Sequence, residues 1–124
     1  VAGGDAVVHQ VVSRLEGAGL APPSTDELRA EAGRADMPAI LRVAAGSGLI
    51  VPVERDRYFA RKALDEFESV LREIGGGGEI RVGAVRDRLG LSRKFLIPLL
   101  EWADREGITV RIGDTRRLKA SPVT

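Results

Sequence analysis

An internal repeat constrains this chain most strongly, because its two halves carry apolar residues and glycines in the same order. The matched pairs are Leu28 with Val85 and Gly33 with Gly90, offset by 57 residues, and Leu41 with Leu100, Gly48 with Gly107, Leu49 with Ile108, Val51 with Val110 and Val53 with Ile112, offset by 59. The change of offset predicts a two-residue insertion, which we place within Leu91 to Lys94. Such a chain is expected to fold as two copies of one small unit.

The pattern predicts the same elements in each copy: a helix, a short helix, a turn, a longer helix and a β-hairpin. In the first copy, apolar residues at helical spacing run from Val7 to Leu15, Ser24 and Glu27 form a capping box, and Asp36 is a candidate cap for the next helix. A helix-turn-helix followed by a ribbon is the arrangement of a winged helix. The predicted fold class is therefore mainly α with small β-hairpins (α+β), built as tandem winged-helix domains.

The predicted domains are a first winged helix over residues 1–60 and a second over residues 61–124. Each is small for an independent core, and burial against a neighbour would help to stabilise it. Because the chain begins with valine rather than methionine, we expect it to be a processed or excised piece of a longer protein.

Composition is that of a globular protein, with 44% hydrophobic and 30% charged residues among 124. The chain has no cysteine, no apolar run approaching the roughly 18 residues of a membrane span and no signal-peptide pattern, so a cytoplasmic protein is expected. Net charge is +1, but residues 1–78 sum to −3 and residues 79–124 to +4. This asymmetry indicates a polyanionic partner for the second copy.

Two cations are predicted to open the longer helix of the second copy. If Ser92 is the N-cap residue, Arg93 and Lys94 occupy the first helical turn. The helix dipole makes cations there unfavourable by about 0.3–1 kcal/mol each. In a helix-turn-helix this end of the second helix points at nucleic acid. The charge is either ordinary solvated surface or part of a binding edge.

The second hairpin favours the binding edge, because it adds Arg111, Arg116, Arg117 and Lys119. Strand alternation predicts that Val110 and Ile112 face the core and that Arg111 points away from it. The first hairpin interleaves two acids with two arginines over residues 54–57, so its charge cancels locally. A basic helix start and a basic wing in one unit would form a connected surface for phosphates. The predicted nucleic-acid-binding residues are Ser92, Arg93, Lys94, Arg111, Arg116 and Arg117.

Patterns for catalysis are missing from the sequence. The glycines at 75–78 lack the Gly-Lys-Ser/Thr ending of a P-loop and are predicted to form a flexible linker. His9 is the one histidine, has no cysteine or acidic cluster at metal-ligand spacing, and is expected to be an ordinary helix residue. Trp102 is expected in the core or at a packing interface. We therefore expect no enzyme, no metal and no cofactor in this chain.

The second copy resembles the last winged-helix domain of bacterial selenocysteine-specific elongation factors (SelB). The likeness rests on "RDRLG", "SRK", "LLEWADREGIT" and R-x-GD-x-R in that order, over about 40 residues counted from the sequence. The first copy, residues 6–60, matches the preceding winged helix of that family in architecture and weakly in sequence. The four-glycine run departs from the family pattern.

The resemblance implies a function that composition alone does not show. In that family the carboxy-terminal winged helices bind the SECIS hairpin of selenoprotein mRNA, and an amino-terminal GTPase carries selenocysteinyl-tRNA to the ribosome at a UGA codon. By position, Arg93 and Lys94 would contact the hairpin loop, and Arg111, Arg116 and Arg117 would grip nearby phosphates. The implied partners are the mRNA hairpin and the ribosome, with no membrane, and a monomer is expected.

Two other classes of protein are also consistent with the sequence. A DNA-binding transcription regulator would use the same basic edge, although a duplex reader is more often a symmetric dimer. A protein-interaction module would dock partners on both wings, a role that suits the more acidic first copy.

Overall fold

The structure, a computed structural model, describes residues 2–119 and the side chains of residues 6–119. It divides into two compact units, Val1–Asp65 and Glu66–Thr124. The elements of the first unit are α1 (Ala2–Ala18), α2 (Thr25–Ala32), α3 (Met37–Gly46), β1 (Ile50–Glu54), β2 (Arg57–Ala60) and the first residues of α4 (Arg61–Gly75). The strands β1 and β2 form an antiparallel hairpin. This order is the one predicted for a winged helix.

The second unit repeats that order and adds a strand. After α4 come β3 (Glu79–Ile80), α5 (Val82–Leu89), α6 (Arg93–Arg105), β4 (Thr109–Ile112) and β5 (Thr115–Leu118). The three strands form an antiparallel sheet in the order β3-β5-β4. Strand β3 was not predicted, because two residues are too short to show an alternating pattern. The predicted fold class, mainly α with small β-hairpins, is confirmed.

The glycines of the repeat occupy equivalent backbone positions in the two units. Gly33 ends α2 at φ 62°, and Gly90 ends α5 at φ 61°, both in the left-handed region. Gly48 and Gly107, which follow α3 and α6, have φ of 83° and 76°. Residues other than glycine rarely adopt this backbone conformation. The four glycines therefore mark the same helix ends and turns in both units.

Two helix starts of the first unit were predicted to be capped by side chains. At α2 the capping box is present: the N–H of Glu27 donates to Ser24 Oγ at 3.1 Å, and the N–H of Ser24 donates to Glu27 Oε1 at 2.8 Å. At α3 the prediction is wrong for the side chain, because Asp36 is the N-cap residue but makes no capping bond. Its carboxylate accepts from Arg34 at 2.9 and 2.8 Å, and this pairing lowers the pKa of Asp36.

The prediction that the four glycines are a flexible linker is wrong. Gly75 is the last residue of α4, and the next three N–H groups donate to the carbonyls of Arg72, Ile74 and Gly75 at 3.0, 3.3 and 2.9 Å. These bonds make a tight turn from α4 into β3, inside the second unit. A methyl group on Gly75 would lie 2.6 Å from Cγ of Leu118, so the helix end packs directly against β5.

The apolar face of α6 forms much of the second core. Leu96, Leu99, Leu100 and Ala103 are fully buried or nearly so, and Phe95 is half-buried. Trp102 is 3% exposed, which confirms its assignment to packing.

This part of the structure concerns His9, metal ligands and membrane-spanning helices. His9 is an exposed residue of α1, as predicted. Within the described residues, no group of three or more histidines, cysteines or acids is placed to hold a metal ion. None of the helices in residues 2–119 has the length and apolarity needed to cross a membrane.

Candidate nucleic-acid interface

The candidate interface begins at the amino terminus of α6. Ser92 is the N-cap residue, as predicted, with extended backbone at φ −71° and ψ 158°. Its carbonyl accepts from the N–H groups of Phe95 and Leu96 at 3.1 and 3.0 Å. Its exposed hydroxyl makes no capping hydrogen bond. The start of α6 is therefore formed without using the Ser92 side chain.

Arg93 and Lys94 are exposed in the first turn of α6, where the sequence predicted them. The Nζ of Lys94 lies 5.4 Å from the ring centroid of Phe95, a cation–π contact that holds the ammonium over an aromatic face. Among the described side chains, no carboxylate pairs with either cation. Both charges thus remain available to a negatively charged partner.

The phase of the wing differs from the predicted alternation. Thr109 is 2% exposed, whereas Val110 and Ile112 are 41% and 53% exposed, so the apolar residues of β4 face outward. The inward position suits Thr109 because its hydroxyl donates to Asp104 Oδ1 at 2.6 Å. Arg111 lies on the same strand face as Thr109 and opposite Arg116, so the prediction that it points away from the core is wrong, although its position closer to the turn leaves it exposed.

Arg116 does not lie on the exposed surface predicted for it. It is 6% exposed, and its Nε lies 3.1 Å from both carboxylate oxygens of Asp104, with Nη2 3.0 Å from Oδ2. Asp104 belongs to the last turn of α6, so this contact joins the helix to β5. A buried guanidinium paired in this way is costly to separate from its carboxylate and is not free to bind phosphate.

Arg117 and Arg111 are the exposed arginines of the wing. Arg117 follows Arg116 on β5 and therefore emerges on the opposite face of the sheet, where no described carboxylate pairs with it. The Nε of Arg111 donates to the carbonyl of Gly113 at 3.2 Å, which holds its stem against the turn and leaves the side chain exposed. Lys119 follows β5 and is also exposed.

Other arginines of the second unit are held by carboxylates. These pairs are Arg72 with Glu68 at 2.7 Å, Arg81 with Glu79 at 2.8 Å, Arg86 with Asp87 at 3.6 Å, and Arg88 with Glu73. In the described part of the chain, no such partner is found for the exposed cations at the α6 start and on the wing, which are Arg93, Lys94, Arg111 and Arg117. These exposed cations are therefore not neutralised by a direct carboxylate contact.

The sequence contains a signal that one of the two arginines is buried. Two consecutive residues of a strand point to opposite faces, so Arg116 and Arg117 cannot both face outward in a sheet that covers a core. An acid near the end of the preceding helix is the natural partner for the inward one. Asp104 is such an acid.

Comparison with known proteins agrees with this architecture. Residues 72–118 match the family described as "Elongation factor SelB, winged helix". The chain is 36% identical over 105 residues to the selenocysteine-specific elongation factor of Desulfomicrobium baculatum, a match that covers 82% of this chain and 17% of the relative. It is 38% identical over 80 residues to that of Escherichia coli K12, covering 64% of this chain and 13% of the relative. The chain thus spans less than a fifth of the length of these relatives.

Solved structures give the same result over both units. The mRNA-binding domain of E. coli SelB, solved in complex with SECIS RNA, superposes with a TM-score of 0.78 at 32% identity, covering 91% of this chain and 98% of that one. A bacterial selenocysteine-specific elongation factor superposes at 0.76 with 29% identity, covering 91% of this chain and 18% of that one. The chain is therefore a tandem winged-helix protein. It belongs to the SelB family of selenocysteine-specific elongation factors.

Proposed function

We propose that this chain is the RNA-binding module of a selenocysteine-specific elongation factor, and that its second unit binds the SECIS hairpin of a selenoprotein mRNA. The observation that carries the proposal is the set of exposed cations without carboxylate partners at the start of α6 and on the wing. The relative solved with SECIS RNA supports the choice of ligand.

The geometry suits an RNA hairpin for a physical reason. Proteins read RNA sequence mainly from unstacked loop bases, since the major groove of an A-form helix is too narrow for side chains. Arg93 and the Ser92 hydroxyl at the helix start contact a loop base or its backbone. Arg111 and Arg117 on the wing neutralise flanking phosphates, which position the hairpin without reading its sequence.

In this proposal the chain itself does no catalysis and needs no cofactor. The GTPase and the binding of selenocysteinyl-tRNA belong to the rest of a longer factor, of which the relatives are examples. The module acts as a monomer in the cytoplasm, and by holding the hairpin it directs selenocysteine incorporation at a UGA codon on the ribosome.

Binding of the 124-residue chain to two matched ligands tests the proposal. The first is an RNA hairpin with an unpaired base in its loop, and the second is the same sequence as duplex DNA. We expect tighter binding to the hairpin, with an affinity that falls as salt rises because bound counterions are released. Equal or tighter binding to duplex DNA would instead favour a DNA-binding regulator and contradict the RNA assignment.

A further inference from the structure

The second strand of the wing contains two adjacent arginines, of which one faces in and the other out. Strand β5 reads Thr-Arg-Arg-Leu over residues 115–118. Its central pair, Arg116 and Arg117, have the same chemistry. Sliding a strand by one residue exchanges its two faces, and register is weakly specified where the apolar pattern is poor. Leu118 shares a strand face with Arg116 and packs at the end of α4 beside the buried Ile80, so one apolar residue of the strand already favours Arg116 as the inward arginine.

Asp104 adds a polar contact that the inward arginine makes and the outward one does not. Its carboxylate receives two contacts from Nε and one from Nη2 of Arg116, at 3.0 to 3.1 Å, and a hydrogen bond from Thr109 Oγ1 at 2.6 Å. One carboxylate thus joins the end of α6, the first residue of β4 and the middle of β5. In the register of β4 and β5, Arg116 lies opposite Arg111, and Arg117 lies opposite Val110.

We propose that Asp104 is a positioning residue for RNA binding, because it selects Arg116 as the inward arginine and so fixes Arg117 in its outward position. This inference rests on the proposed function for its RNA consequence. Its structural consequence, the register of β5, stands without it. The carboxylate itself is 26% exposed as a side chain and need not touch the ligand.

The direction in which Asp104→Asn changes RNA affinity distinguishes a positioning role from a purely electrostatic effect of the carboxylate. Asp104→Asn removes one negative charge from a unit that binds a polyanion, so long-range electrostatics alone predicts tighter RNA binding. Loss of the contact between Asp104 and Arg116 predicts weaker RNA binding, because β5 no longer holds Arg117 in place. Asp87→Asn is the matched control: Asp87 is 79% exposed, lies in the same unit, and its loss removes the same charge without touching the wing.

The test compares these two variants of the 124-residue chain in two measurements. The first is affinity for the RNA hairpin with an unpaired loop base. The second is the set of NMR cross-strand contacts that report register, between Val110 and Arg117 and between Arg111 and Arg116. For Asp104→Asn we expect affinity to fall about tenfold and both register contacts to weaken or disappear, while the α6 signals persist. Asp87→Asn should keep the contacts and bind equally or more tightly.

A double variant tests whether Asp104 acts through Arg117. In the wild-type background Arg117→Ala should lower affinity, and in the Asp104→Asn background it should lower it much less, since the guanidinium is already misplaced. Full additivity of the two losses would contradict the proposed route. So would an Asp104→Asn variant that kept both register contacts and bound the hairpin within about twofold of wild type.

A milder variant keeps the inference testable if Asp104→Asn does not fold. Arg116→Lys retains the charge but loses the planar fork that contacts both oxygens. It should weaken the same register contacts and lower affinity, and intact register with unchanged affinity would overturn the proposal. Should the wild-type chain fail to bind the hairpin at all, the proposed function is wrong, and the register contacts alone decide the role of Asp104.

Discussion

Arg116 and Asp104 are joined by three contacts of 3.0 to 3.1 Å where β5 packs against the end of α6. Arg117, the next residue of the strand, is exposed. Two chemically identical neighbours thus differ in their surroundings: one holds the wing to α6, and the other is exposed and is proposed to contact RNA.

Removing the buried arginine should cost far more stability than removing the exposed one. Arg116→Ala leaves the carboxylate of Asp104 without its partner, and we expect a loss of about 2 kcal/mol in the free energy of unfolding. Arg117→Ala should change it by less than about 0.5 kcal/mol. Urea denaturation followed by circular dichroism measures both, and equal losses would show that Arg116 is not a structural residue.

Gly75 should tolerate a methyl group poorly. A Cβ there would lie 2.6 Å from Cγ of Leu118 and 3.0 Å from Cδ1 of Ile80, so the turn from α4 into the sheet would have to move apart. Alanine is the better helix former, but we expect overpacking to dominate and to destabilise by about 1–2 kcal/mol.

Gly77→Ala provides the control in the same glycine run. Its nearest neighbour would be the Ile74 carbonyl oxygen at 3.7 Å, an ordinary contact. Thermal unfolding of the two variants should separate them clearly. A Gly75→Ala variant as stable as Gly77→Ala would mean that the end of α4 is not tightly packed on β5.

Arg93→Ala should weaken hairpin binding, because its guanidinium stands in the first turn of α6 without a carboxylate partner among the described residues. A base-reading contact would cost about 1–3 kcal/mol of binding free energy. Arg55→Ala, in the first unit's hairpin turn, is the matched arginine removal and should cost little. Fluorescence anisotropy with a labelled hairpin measures both, and similar losses would show that the site is wrongly assigned.

The pair of Glu31 and Arg14 should give the first unit a small acid sensitivity. The hydrogen bond from Arg14 Nε, at 2.7 Å, holds the pKa of Glu31 below its ordinary value of 4.5. A carboxylate with a lowered folded pKa contributes stability that is present above its unfolded pKa and is lost as pH falls through the folded value. The contribution therefore begins to decline as pH falls below about 4.5 and is lost below the lowered pKa of the folded state. In an NMR titration Arg14→Ala should raise the Glu31 midpoint, and an unchanged midpoint would rule the pairing out in solution.

The sequence was sufficient for the features of the fold that depend on local chemistry. Glycine adopts the left-handed conformation that ends α2 and α5 without steric cost, which is why Gly33 and Gly90 identified the repeat. The Ser24 capping box is likewise a contact between residues three apart. The positions of Arg93 and Lys94 followed from Ser92 alone.

The features that were missed depend on contacts between distant residues. The inward turn of Arg116 requires Asp104, twelve residues earlier in the chain. The reversed phase of β4 follows from the same carboxylate, because it receives Thr109 where an apolar residue was expected. The tight turn at Gly75 reflects its packing on Leu118, which no local pattern in the glycine run reveals.

Chemical-shift mapping of the labelled 124-residue chain with the RNA hairpin tests the central claim most directly. We predict that the largest amide changes fall on residues 92–94 at the start of α6 and on residues 111–117 of the wing. Amides of residues 25–60, the equivalent part of the first unit, should change little. Changes concentrated in that first-unit segment, or spread evenly over both units, would contradict the assignment of RNA binding to the second winged helix.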